Sequence, residues 1–128
     1  MPYFFNFPWY PTIYKHEIIE QGGDYKSIWD GTLINNVYIN NVDGAVITYN
    51  GWSASDYLDL NDNTDGYFYR AGQISNASYC AFYDDNKNFI APCPAADNYG
   101  RTTIPNNARY VRLSTGDSYW GGPIFIKI

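Results

Sequence analysis

From Tyr25 onward the chain is cut every few residues by clusters of Asn, Asp and Gly, which leaves no stretch long enough for a packed helix. Between the cuts, Val37 to Asn40, Ala45 to Tyr49, Asp56 to Leu60, Tyr67 to Gly72, Tyr79 to Asp84, Arg109 to Thr115 and Pro123 to Ile128 read as short strands. This rhythm predicts an all-β chain, a β-sandwich or jelly roll. It disfavours parallel α/β architectures, which need a helix between successive strands. The 14 Tyr, 7 Phe and 4 Trp, set against 16% charged residues, suit half-buried sheets with polar, uncharged outer faces. A length of 128 residues is enough for one domain with a proper core.

The stretch Ser78 to Ile90 predicts a hairpin. Tyr79, Ala81 and Tyr83 fall on one face of its first strand, and Cys80, Phe82 and Asp84 on the other. Asp84 to Asn88 supplies a loop built around a type I turn. At the C-terminus, Ile124, Ile126 and Ile128 share a face, so that strand should pack against the core.

The N-terminus has a different character. Prolines at 2, 8 and 11 among Tyr, Phe and Trp block helix and central strand, which predicts an extended aromatic, Pro-rich arm over 1–26 ahead of a sandwich domain over 27–128. Lys15 to Gln21 is the one place for a short helix, ended by Gly22-Gly23-Asp24. The arm has two readings: it covers an edge of its own sheet, or it attaches to a partner or neighbouring subunit.

A net charge of −5 and a pI near 4.5 argue against nucleic acid or an anionic membrane, because phosphate binding needs clustered Lys and Arg. Neutral ligands and proteins fit better as partners. No apolar run reaches bilayer length, and no basic-then-apolar leader opens the chain. Cys80 and Cys93 are too few for a disulfide framework or a four-ligand zinc site. They read as two free thiols, with a single disulfide as the alternative.

Catalytic constellations are thin. Gly51-Trp52-Ser53-Ala54-Ser55 lacks the second glycine of a nucleophile elbow, and the lone histidine, His16, sits in a different type of segment. Cys80 lies on an apolar strand with no adjacent base, and Glu17 and Glu20 are the only glutamates. Asp59, Asn61, Asn63 and Asp65, followed by Gly66, alternate like the start of a calcium loop without its terminal glutamate. They read as a polar turn, with a structural calcium as the alternative. Arg112 shares a strand face with Tyr110 and Ser114, where a half-buried guanidinium calls for a carboxylate; Asp56 and Asp84 are the expected partners.

For sugar binding, the useful chemistry is an exposed ring flanked by groups that bond hydroxyls. Asp97-Asn98-Tyr99-Gly100-Arg101 and Asp117-Ser118-Tyr119-Trp120-Gly121-Gly122 offer it. The candidate ligand-binding residues are therefore Asn98, Tyr99, Arg101, Tyr119 and Trp120, with Trp52 as a further one.

Three motifs occur in order: Gly51-Trp52-Ser53-Ala54-Ser55-Asp56-Tyr57-Leu58, Tyr79-Cys80-Ala81-Phe82-Tyr83-Asp84-Asp85-Asn86-Lys87-Asn88-Phe89-Ile90, and Ile104-Pro105-Asn106-Asn107-Ala108-Arg109-Tyr110-Val111-Arg112-Leu113-Ser114. Together they resemble a β-sandwich module of phage tail-fibre and other virion appendage proteins, with Gly44 and the Asn-rich segment before it fitting the lead-in. The resemblance spans roughly 27–128 and departs from the pattern at Cys80 and in the Pro-rich insert Ala91 to Gly100.

It implies a carbohydrate-binding-module-like jelly roll, used without catalysis on the virion surface. It names no ligand; binding of host-surface glycan or receptor is the first reading beside it, with other virion proteins as partners through the arm and a homo-oligomer, a trimer being suggested by fibre architecture. Two alternatives stand beside that reading. One is a structural decoration or spacer; the other is a carbohydrate-binding module of a glycan-active system.

Overall fold

The computed structural model describes residues 24–70, 79–94, 96–97, 100–116 and 124–128, and these contain no α-helix. They form eleven strands: β1 (Tyr25–Ser27), β2 (Ile34–Ile39), β3 (Val46–Ala54), β4 (Leu58–Asp59), β5 (Tyr67–Arg70), β6 (Ala81–Tyr83), β7 (Phe89–Pro92), β8 (Arg101–Thr103), β9 (Tyr110–Arg112), β10 (Ser114–Thr115) and β11 (Ile124–Lys127). The strands pair into a four-stranded sheet β1-β11-β5-β8, a second four-stranded sheet β4-β9-β6-β7, and a three-stranded sheet β10-β3-β2. All pairings are antiparallel. The architecture is all-β, as the turn-punctuated sequence predicts.

The sheet holding β6 is the middle layer, because Ala81, Phe82 and Tyr83 are all buried. Strand alternation sends Cys80 and Phe82 into a core with Phe68, Val111, Ile124 and Ile126, so this face packs on the β1-β11-β5-β8 sheet. Ala81 and Tyr83 point the other way, into a second cluster with Ile39 and Ala54 of the three-stranded sheet. The two faces expected of this strand are thus two separate cores. β9 and β10, broken at Leu113, carry the chain from the middle sheet to the three-stranded one.

The hairpin turn also forms as expected. Lys87 N donates to Asp84 O at 2.9 Å and Asp84 N to Asn88 O at 2.9 Å. The Asp84 carboxylate accepts the Asn86 and Asn88 amides at 2.9 Å each, which holds it below the ordinary carboxylate range, and Lys87 takes a left-handed φ of 66°. Gly44 sits above this hairpin at φ 74°, where a Cβ would come within 2.8 Å of Tyr83 and 2.9 Å of Phe89.

Several expectations need correction. Asn50-Gly51 does not end a strand: β3 runs through it to Ala54. β1 and β8 are strands that were not anticipated, and β7 reaches into the Pro-rich insert as far as Pro92. Ile124 and Ile126 are buried, whereas Ile128 is 47% exposed at the chain end. Ser78, the Lys15 to Gln21 segment and the arm apart from Asp24 to Lys26 lie outside the described residues; Tyr25 and Lys26 belong to β1, paired with β11.

Candidate functional site

The β2–β3 pairing contains a wide bulge that organises one surface. Val37 pairs with Thr48 and Asn35 with Ser53, so Asn36 alone faces Tyr49, Asn50, Gly51 and Trp52. Asn36 and Gly51 absorb the distortion with φ of 63° and 92°, and Asn36 Oδ1 accepts the Gly51 amide at 3.4 Å. A bulge re-aims the side chains it carries. Here Trp52 meets Tyr38 edge-on at 5.9 Å and Tyr79 at 4.9 Å, while Tyr38 meets Tyr79 at 4.9 Å and Tyr49 at 5.9 Å. Gly116 makes room for the indole: a Cβ there would stand 2.9 Å from the Trp52 ring.

This cluster is half-open to solvent, with Tyr49 56% exposed. The hydroxyls of Tyr38, Tyr49 and Tyr79 and the Trp52 indole N–H make no hydrogen bond, and none of them is sealed from solvent. Three such groups elsewhere are matched, while the Tyr57, Tyr67 and Tyr110 hydroxyls stand alone among the described residues. The Tyr83 hydroxyl donates to Gly44 O at 2.6 Å, the Tyr69 hydroxyl to Asp65 at 2.5 Å, and the Trp29 indole to Thr32 O at 3.0 Å. Asn36 and Asn50 in the bulge and Asn35 next to it are exposed amides, and Asn35 Oδ1 accepts the Ser53 hydroxyl at 3.2 Å. The arrangement offers ring edges, hydroxyls and amides, a set suited to holding a polyhydroxylated ligand.

A second aromatic group is closed off by the protein's own cations rather than by burial, since only Tyr83 in it is buried. Tyr57 meets Tyr83 at 5.0 Å and Tyr110 at 5.7 Å, with Lys87 Nζ 4.9 Å and the Arg112 guanidinium 4.5 Å from the Tyr57 ring centre. The ion pair expected for Arg112 is absent. Its Nε donates to Ser55 O at 3.0 Å and its charge rests on Tyr57, because Asp84 is occupied by its own turn and Asp56 accepts the Tyr57 amide. A cleft of about 630 Å³ opens beside Tyr57, with Trp29, Asp30, Thr32, Asp56 and Asp59 among its walls.

Of the residues singled out from sequence, Trp52 is in the open cluster. Arg101 is on β8, where Nε donates to Asp97 at 2.7 Å and the guanidinium lies 4.7 Å from the Tyr67 ring centre. Asn98, Tyr99, Tyr119 and Trp120 lie outside the described residues, as does His16. Asp59 is held by Arg109 in a two-pronged pair at 2.9 and 3.1 Å, Asn63 accepts the Gly66 amide, and Asp65 accepts from Tyr67 N and the Tyr69 hydroxyl. The Asn61 amide donates to Asp59 Oδ1 at 2.9 Å, so the oxygens of Asp59, Asn63 and Asp65 serve protein donors in a polar turn, and no metal-holding cluster occurs among the described residues.

The chain matches no family model, no curated protein and no solved structure.

Sequence reasoning missed Tyr38 and Tyr49 as members of the cluster and placed Tyr79 only as a hairpin residue. The available signal was Gly51 inside an apolar, alternating run between Tyr49 and Trp52, the mark of a bulge rather than of a turn.

Proposed function

We propose that the chain is a non-catalytic virion appendage module of jelly-roll type that binds a host-surface glycan or receptor through the Tyr38, Tyr49, Trp52 and Tyr79 cluster. The observation that carries this reading is that four rings in mutual contact gather unbonded polar atoms at one half-open surface. Tyr83, Tyr69 and Trp29 spend their polar atoms inside the protein, whereas the open cluster keeps its hydroxyls and indole N–H for whatever meets them from solvent. Neutral amides at Asn35, Asn36 and Asn50 favour hydroxyl-rich ligands over ionic ones.

The ordered motifs that include Trp52 and Tyr79 support the appendage setting, with residues 1–26 as the arm that joins other virion proteins in a homo-oligomer. The test is a glycan-array and host-cell binding comparison of the full chain with Trp52→Ala and Tyr49→Ala. Retention of full binding by both variants would sink the site. Absence of any glycan or cell binding by the unaltered chain would favour a structural spacer.

A further inference from the structure

We propose that Cys80 and Cys93 are a cross-strand redox pair, joined by a disulfide when the chain folds under oxidising conditions, and that the bond fixes the strand end from which Tyr79 enters the aromatic cluster. The β6–β7 register pairs Phe82 with Ala91 and Ala81 with Pro92; one further step sets Cys80 against Cys93. The backbone bears this out, with Cys93 N donating to Cys80 O at 2.9 Å. Directly opposed residues bonded in this way hold their Cα atoms about 5.5 Å apart, inside the range of about 4.4–6.8 Å that a disulfide spans. Opposed side chains also leave a sheet on the same face, and both thiols enter the core with Phe82 and Phe68.

No disulfide joins the two thiols in this structure. Opposed Cβ atoms lie about 4.5–5.5 Å apart, and a disulfide asks for about 3.5–4.5 Å, so closing the bond draws the strands slightly together. The pair sits at the end of the ladder, where the backbone yields most easily.

The thiols have exposures of 0% and 1%, and burial raises the pKa of both. Arg70 opposes that effect from 3.6 Å beside Cys93 Sγ, with a buried Nε that has no acceptor. Oxidation therefore belongs to folding, before the core excludes the co-reactant. That co-reactant is a small-molecule disulfide such as oxidised glutathione. Its S–S bond breaks to give two thiols as Cys80 and Cys93 lose two electrons and two protons and form one S–S bond.

The experiment refolds the full chain from denaturant in glutathione buffers of graded ratio, quenches with acid, alkylates under denaturing conditions and measures intact mass. The expected product is a monomer lighter by two hydrogens that takes up no label and grows with the oxidised fraction. It melts several degrees higher than the reduced form, and its peptide map contains Cys80 linked to Cys93. Cys93→Ala should lose that product; if this variant does not fold, the peptide map of the unaltered chain decides. Two labelled cysteines at every ratio, glutathione adducts alone, or links only between chains would each overturn the proposal. None of these readouts depends on glycan binding.

Discussion

Two tyrosine clusters in this molecule use the same side chains for opposite ends. Around Tyr57, Tyr83 and Tyr110, the protein supplies its own cations: Lys87 and Arg112 at Tyr57, and Arg109 5.4 Å from the Tyr110 ring centre. Around Tyr38, Tyr49, Trp52 and Tyr79, no cation stands over a ring and the polar atoms have no hydrogen-bond partner among the described residues. Buried polar groups must be matched inside the fold, and exposed ones are left for solvent or ligand. The closed cluster should therefore answer to mutation in stability, and the open one in binding.

The largest expected effect breaks the closed cluster from above. Gly44→Ala forces a Cβ against Tyr83 and Phe89 at a left-handed φ of 74°, where an L side chain already costs about 1–2 kcal/mol and overpacking adds about 1–3 kcal/mol. Denaturant titration should show a loss of about 3 kcal/mol; a loss below about 1 kcal/mol would mean that Tyr83 and Phe89 move aside freely. Next comes Arg112→Met, which strips Ser55 O of a buried charged donor and Tyr57 of its cation, for about 2 kcal/mol. Unchanged stability together with lost glycan binding would reverse the assignment and make Arg112 a ligand contact.

The open cluster should behave in the opposite way. Tyr49→Ala removes a ring that is 56% exposed, so stability should change by no more than about 0.5 kcal/mol. Glycan affinity, read by calorimetry on a ligand found by array, should fall about tenfold, equal to about 1.4 kcal/mol. A stability loss as large as that of Arg112→Met would erase the distinction between the clusters.

The part of this contrast that is local in the chain was legible in advance. Alternation in Tyr79 to Asp84 predicts the two buried faces of β6, and the Asp84 to Asn88 composition predicts its turn. Strand alternation predicts a half-buried, carboxylate-paired Arg112; it is in fact buried and unpaired with either expected carboxylate, because sequence cannot show that Asp84 spends its oxygens on its own turn while a tyrosine fifty-odd residues upstream takes the charge. The open cluster was harder still. Trp52 was marked as a candidate, but its partners Tyr38 and Tyr79 reach it through strand pairing and layer packing, contacts that no local pattern encodes. Arg101 carried the right residue type for a ligand contact, yet its neighbour Asp97 and the Tyr67 ring claim it.

The smallest effect lies at the rim of the closed cluster, where Asp59 orients the Arg109 guanidinium that rests on Tyr110. The hydrogen bond from Arg109 is the main influence holding the Asp59 carboxyl below its ordinary 3.8. A depressed folded pKa contributes stability above the unfolded pKa, and that contribution disappears as pH falls through the folded value. With Asp59 and Arg109 side chains 52% and 34% exposed, solvent screening keeps the contribution of the pair small. Wild type should thus melt slightly above Asp59→Asn at neutral pH, the two curves should merge on the acid side of the carboxylate range, and added salt should narrow the gap. Glycan affinity should follow neither the substitution nor the acid titration, since Arg109 serves a ring in the closed cluster. If affinity falls in step with the Asp59 titration, the two clusters are coupled and the open one does not act alone.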